Sequence, residues 1–508
     1  SVGTGEIKNT KSGGSVIYAM FSSSTHAEIT VNGGSITAHA TGTGSTGIKV
    51  NSPNCIVTVT GGKISGAMAG IDLNASSTGS KCYISGTDTE ITGGYAVYAH
   101  AMGAVTVEIT GGTITGKASS AVSNPTGVSV TQGDVKISDA TITAPQYGVY
   151  FSGVHNVTYE ISGDTEITST SYAIYEGGSN CSKFGTIKGG AITGPVQVTG
   201  DMKIEDGTFS DDITLYHDAA KLEIIGGEFE GELVQKDDNA STIVVKGGTF
   251  PEGTDLTEYL PEGYEGETSG GSIVVKRYVA QVDDTKYETI DEAMTDWADG
   301  GTLMLLSDVE WASNITFTKA ITYFLDLNGY TLDMGSKKLN VSGDLEIVDS
   351  KNENGKITGT AYKLVEVKSG GNVTLASGTI SSSADRIVWV GSGSQFDMTG
   401  GKIESTGSER YVVYIFGGDF SIEEGNITGS TNGVYLYSGT LTVGAAPVGA
   451  EQTEEEANKV YIEKIRINGT KDVTLNSGII GDISNGTIGA TPGSTQKLGR
   501  LERQASHW

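Results

Sequence analysis

The sequence predicts an all-β fold, a parallel β-solenoid, from three observations. A phrase of alternating residues, a Gly-Gly step and a second short alternation, as in VTVEITGGTITG at 105–116, recurs along nearly the whole chain. An Ile or Phe marks its recurrence at Ile36, Ile64, Ile91, Ile114, Ile142, Ile167, Ile192, Phe209, Phe229 and Phe250, at spacings of 17 to 28 residues. The chain holds 74 glycines beside only 8 prolines, which excludes collagen, and the alternation of Ile and Val beside those glycines excludes a disordered Gly/Ser chain. Self-similarity at this period with strand alternation marks a solenoid, in which each strand pairs with its equivalent in the next coil. A leucine-rich repeat would carry its LxxLxL signature, and a propeller blade needs about 40 residues or more.

Within the phrase at 105–116, Val107, Ile109 and Ile114 point inward, while Thr106, Glu108 and Thr110 face solvent. Gly111 and Gly112 turn the corner between strands, where a Cβ would clash or a positive φ is needed. The varying repeat length is assigned to loops such as those at 75–80 and 123–127. A second strand in each coil aligns as 47–51, 70–74, 96–100, 148–152 and 173–177. Its outward column then reads Lys49, Asp72, Tyr98, Tyr150 and Tyr175, beside a second column of Asn51, Asn74, His100 and Ser152. This is the most partner-like surface of the chain.

The pattern breaks between 251 and 278, read as a terminal coil and crossing that closes a first solenoid of about ten coils over residues 1–278. One helix is predicted, at about 289–299: Thr289 and Glu292 form a capping box, Ile290, Ala293, Met294 and Trp297 share one face, and Gly300-Gly301 stops it. An open solenoid end exposes core and strand edges, so this helix is expected to cover the start of a second solenoid over 279–494. The outward column of the second strand there reads Glu366, Trp389, Tyr414 and Tyr435, flanked by Phe416 and Tyr437. An insertion at 445–465, with Glu451 and the acidic run 454–456, reads as a solvated loop. From Thr495 the repeat stops, and the basic segment KLGRLERQASHW is expected to be an appended artificial tail. The chain opens in mid-repeat without Met, as a segment of a longer protein would.

Charge narrows the functional classes. With 33 basic and 61 acidic residues the net charge is −28, which disfavours nucleic acid, whose phosphates need clustered Lys and Arg. Anionic substrates such as pectate are disfavoured on the same ground unless cations bridge the charge, and acidity of this kind keeps an extracellular protein soluble. Cys55, Cys82 and Cys181 make neither a disulfide framework nor a zinc site. Cys55 and Cys82 share inward parity, but extra residues at 86–90 unsettle their register, and free buried thiols are expected. No apolar run is long enough to span a bilayer. No metal or cofactor is called for.

The residues Tyr287, Thr289, Ile290, Glu292 and Ala293, the run 300–306, Asp308, Val309 and the run 325–332 give the pattern Y-x-T-I-x-E-A, then D-G-G-T-L-x-L-L-x-D-V, then L-D-L-N-G-Y-T-L. That pattern resembles the opening of pectate-lyase-like right-handed β-helix domains, common in large surface proteins of Gram-positive gut bacteria. The segment DLTEYLPEGYE at 255–265 resembles the coil-closing phrase that often precedes such units. The resemblance implies a right-handed β-helix and a cell-surface or extracellular location. It implies no single activity, because the same scaffold carries lyases, glycosidases and adhesins.

Three functions fit these residues. Binding of a glycan or a host surface protein by a monomer needs rings on a rigid face with polar neighbours, as offered by Tyr98, Tyr150 and Tyr175 and by Trp389, Tyr414 and Tyr435. Glycoside hydrolysis needs two carboxyls roughly 5–10 Å apart. The best candidates are Asp72 with His100, and the polar group around Asp212 and His217, while Glu176 has inward parity. Lyase chemistry wants an outward base beside several acidic ligands, and the first arginine is Arg277. A spacer is the third reading, since ten coils at about 4.8 Å would reach about 50 Å.

Overall fold

The computed structural model describes residues 5–489 apart from 21–25, 75, 154, 179–181, 237–239, 298–300, 319–320, 353, 408–410, 430–432, 445–458 and 477–478. It is nearly all β, a parallel β-solenoid with one short helix among the described residues. Two sheets of 27 and 21 strands belong to two compact units, residues 1–277 and 278–508. The acidic run 454–456 and the segment 495–508 lie outside the described residues.

In the first unit three strands make one coil, as in Val105–Thr110, Thr113–Gly116 and Thr126–Val130. Each pairs in parallel with its equivalent one coil on, Gly133–Ser138, Thr141–Ala144 and Tyr147–Phe151. The alternation sets this arrangement, because only in-register stacking keeps every Ile and Val on the inner face. The marker residues stack as predicted: Ile36 on Ile64, Ile64 on Ile91, Ile91 on Ile114, and so on to Phe209 on Phe229. Where the coils shorten, aromatic rings replace the isoleucines and continue the column, Phe229 lying 5.1 Å from Phe209 and 4.7 Å from Phe250. At the corner after Ile109, Gly111 and Gly112 take φ of 148° and 90°, a conformation that side chains with a Cβ avoid.

Val57 pairs with Cys82, yet Ile64 pairs with Ile91, so two additional residues do sit in the 86–90 turn. Cys55 therefore lies level with Ser80, whose hydroxyl accepts its N–H, and not with Cys82. Both thiols are free and buried, and burial pushes the Cys82 thiol up to about 12.

The end of the first unit differs from the coil expected at 251–278. Tyr264–Ser269 and Ser272–Arg277 form a hairpin, and the second of these strands runs antiparallel to Thr249–Pro251. Reversing direction at the last coil pairs an edge that a further parallel coil would leave open.

The second unit begins with a hairpin, Ala280–Val282 with Thr285–Tyr287, and the helix Ile290–Trp297. The Thr289 hydroxyl accepts the Glu292 N–H at 3.4 Å, the N-cap half of the box expected from the sequence, and donates to the Glu292 carboxylate at 2.7 Å in place of the backbone N–H bond of the full box. Ala293 and Trp297 are buried, and the Trp297 ring meets Phe317 and Tyr323 edge-on at 5.3 and 5.6 Å. The helix thus covers the first core layer, above a column that runs Val309, Leu332, Ile357, Ile380, Ile403, Ile427 and Ile462.

Candidate functional site: two aromatic strand faces

The third strand of each coil carries both candidate faces, and a local corner explains why. In 95–98, 147–150 and 172–175 the burial runs partly exposed, buried, buried, partly exposed. Two consecutive inward residues break the two-residue alternation, so side chains three apart point outward together. The rings that share the face are therefore pairs: Tyr95 with Tyr98, Tyr147 with Tyr150, and Tyr172 with Tyr175. Sequence alternation alone found only the second member of each pair. The signal that finds the first is a repeated Tyr-x-x-Tyr, present also as Tyr411–Tyr414.

On the first unit the outward column is Tyr18, Lys49, Asp72, Tyr98, Ser129, Tyr150, Tyr175 and Gln197. The coil through Ser129, absent from the alignment of the sequence, stands between Tyr98 and Tyr150. Tyr95 and Tyr98 stack at 4.1 Å, and Tyr98 stacks on His100 at 4.1 Å. Two coils on, Tyr147 stacks on Tyr150 at 4.8 Å and leans on Tyr175 at 4.9 Å. Gly177 leaves room for these rings, since a Cβ there would stand 2.9 Å from Tyr150 and 3.2 Å from Tyr175. Burial, with the neighbouring Tyr95, Asp72 and Tyr150, pushes the Tyr98 hydroxyl up to about 12, so it remains a neutral donor and acceptor.

Asp72 and His100 do meet. His100 Nε2 lies 3.0 Å from Asp72 Oδ1, while Lys49 Nζ lies 3.3 Å from Oδ2. The Asp72 side chain is only 3% exposed, so both oxygens are spent on neighbours, and its column neighbours, Lys49 and Tyr98, supply no second carboxyl. Asp212 and His217 stand at opposite ends of the strand Ile213–Leu215. Asp212 accepts the Glu232 N–H at 2.8 Å and His217 accepts the Ala219 N–H at 3.4 Å, each ordering a turn. Glu176 points into the core, as its parity indicates, and is fully buried. Among the described residues no group of three or more His, Cys, Asp or Glu gathers to hold a metal ion, and no helix is long and apolar enough to cross a membrane.

The second unit carries a denser ladder. Its column is Asn340, Glu366, Trp389, Tyr414, Tyr435 and Arg466. Trp389 and Tyr414 stack at 4.6 Å with a 3° angle between planes, and Phe416 lies 5.2 Å from Trp389 and 5.3 Å from Tyr437. Phe416 and Tyr437 are each 40% exposed, whereas Tyr414 is 7% exposed and lies within the stack. The exposed rings are therefore Phe416 and Tyr437, while Trp389 is partly buried between Tyr414 of the next coil and Lys363 of the preceding one.

Cations brace this ladder. Lys363 Nζ sits 3.6 Å over the Trp389 ring, the Arg386 guanidinium 4.5 Å over Tyr414 and 5.6 Å from Trp389, and that of Arg466 5.4 Å over Tyr435. Lys363 and Arg386 occupy the same step of successive coils, three residues before Glu366 and Trp389, and both have φ of 58°. Alternation in the sequence does not find Lys363 and Arg386, which lie off the column at the place where Tyr411 stands one coil later, whereas Arg466 lies in the column itself.

Comparison of the chain with family models, with curated proteins and with solved structures finds no match in any of the three.

Proposed function

We propose that the chain is a glycan-binding β-helix of a bacterial cell surface, an adhesin-type module related to the pectate-lyase-like domains that its 280–332 segment resembles. The observation that carries this reading is the ring ladder on parallel strands that leaves Phe416 and Tyr437 exposed beside Trp389. Sugar rings present C–H faces that pack on aromatic faces, and rings already fixed by stacking lose little freedom when a ligand arrives. On the first unit, the Tyr95–Tyr98–His100 stack with Asn74 and Ser152 nearby offers rings and hydroxyl partners in the same way. An acidic surface suits a secreted protein.

The contact of Asp72 with His100 favours a second reading, a carbohydrate-active enzyme, in which His100 would move a proton. Against it stands the engagement of both Asp72 oxygens without a second carboxyl in the neighbouring column positions. A glycan array probed with the intact protein, with the bound glycans followed for cleavage by chromatography, separates the two. The binding reading expects retained glycans and no product, with loss of signal in Trp389→Ala/Tyr414→Ala or Tyr98→Ala/Tyr150→Ala. Product that disappears in His100→Ala would move the function to catalysis. An array with no retained glycan would contradict both.

A further inference from the structure

We infer that the face of the second unit is selective for an anionic saccharide, a sugar bearing a sulfate or a carboxylate, with the sugar against the exposed rings beside Trp389 and the anionic group at Arg386. This rests on the glycan-binding reading and names the ligand chemistry of one of its two faces. It also reverses, locally, what the net charge of −28 suggests, because charges beyond a Debye length of about 8 Å at physiological salt are largely screened. What a ligand meets is the patch.

The patch is basic. Four cations lie against the rings: Lys338 over Tyr362 at 5.8 Å, Lys363 over Trp389, Arg386 over Tyr414, and Arg466 over Tyr435. Among the described residues, the carboxylates paired with them are two. Glu366 is shared by Lys363 at 2.9 Å and Lys338 at 3.9 Å, and Asp385 lies 3.6 Å from Arg386 Nε. That last contact is an ion pair without a hydrogen bond, for Arg386 Nε is buried with no hydrogen-bond partner. A guanidinium has five N–H donors in a planar fork suited to carboxylate and sulfate oxygens. Among the described residues Arg386 spends one, on the Tyr362 hydroxyl.

Backbone conformation singles out the same residues. Lys363 and Arg386 are non-glycine residues in the left-handed region, uncommon for long side chains, and such conformations concentrate at ligand sites. A turn chosen for stability alone would place Gly or Asn there. The first unit lacks this arrangement: its one cation in the corresponding column among these coils, Lys49, is held by a buried Asp72. The two faces should therefore differ in ligand charge.

The test is an array of matched glycans, each neutral core printed beside its sulfated and its carboxylated form. It is probed with the intact chain and with Arg386→Gly, Arg386→Lys and Trp389→Ala, and the melting midpoint of each variant is recorded. Arg386→Gly removes the charge while relieving the backbone, which offsets its lost contacts with the rings and Asp385, so its midpoint should stay close to that of the parent. The proposal expects at least about ten-fold tighter binding of the charged forms, weakened by added salt. It expects that preference to vanish in Arg386→Gly and to survive largely in Arg386→Lys, while Trp389→Ala weakens charged and neutral forms together. Whether sulfate or carboxylate is preferred identifies the source of the charge. Equal binding of charged and neutral forms by the parent, or a preference that persists in Arg386→Gly, would overturn the anionic assignment and leave the glycan reading standing. Absence of binding to every form would overturn both.

Discussion

Glu176→Ala should cost the first unit about 3–5 kcal/mol, a large fraction of the stability of most domains. The carboxylate is wholly buried. Its Oε1 accepts the Tyr159 hydroxyl at 2.7 Å, and its Oε2 accepts the N–H groups of Thr199 and Gly200 at 2.7 and 2.9 Å. Alanine would leave two buried N–H groups unpaired, at about 1–3 kcal/mol each, and would strip buried Lys183 of a nearby opposite charge. Glu176→Gln should be far milder. The amide oxygen can keep both N–H groups while the Tyr159 hydroxyl turns to accept from the amide NH2.

The pH dependence of the pair follows. Burial pushes the Glu176 carboxyl up, more than its hydrogen bonds and Lys183 lower it. A carboxyl that is protonated more readily folded than unfolded favours folding at pH below its unfolded value. That contribution is lost as pH rises through its raised folded value. Denaturant midpoints measured across this acidic range should fall with rising pH in the parent more than in Glu176→Gln. An Ala variant as stable as the parent would show that the buried carboxylate does not hold this coil together.

Gly133→Ala should be comparably damaging through a different cause. Gly133 opens its strand with φ of +123°, and a Cβ there would stand 1.9 Å from the carbonyl oxygen of Val105 in the preceding coil. Backbone on both sides is fixed by pairing with Val105 and Val157, so no side-chain rotation relieves the overlap. A loss of about 4 kcal/mol or failure to fold is expected, the range reserved for backbone strain and overpacking. Gly253→Ala is the control, with φ of +92° but nothing within 4 Å. It should show the cost of the dihedral alone, about 1–2 kcal/mol. Equal thermal midpoints for the two variants would contradict the close stacking of coils at Gly133.

The fold was legible because alternation is a local property that stacking preserves. Ile36 through Phe250 form a column in the sequence and in space, since most markers sit two residues after a glycine and the rest, Ile91, Ile142 and Ile167, keep the alternation. The helix was equally plain, for its capping box and apolar face are both local. The hairpin at 264–277 was not, because a return antiparallel strand alternates just as a parallel one does. Half of each aromatic face was missed for a definable reason. Tyr95, Tyr147, Tyr172 and Arg386 precede two consecutive inward residues, so strict alternation assigns them to the wrong side. The Asp72–His100 pair was readable from register, but not the Lys49 contact that occupies the second oxygen. Net charge gives no sign of the local basic cluster at the second face, where Lys338, Lys363, Arg386 and Arg466 come from four coils whose separation in sequence hides it.

The claim that these faces are binding platforms is most directly tested by titrating the glycan best retained by the intact protein into the parent, Trp389→Ala/Phe416→Ala and Tyr98→Ala/Tyr150→Ala. Calorimetric dissociation constants should be taken beside thermal midpoints. The account predicts at least a ten-fold loss of affinity in one double variant, with the other near the parent value and all midpoints close, as expected when a central aromatic contact carries more than about 1–2 kcal/mol of binding. Unchanged affinity in both double variants would contradict it, and would return the two ring ladders to a purely structural role.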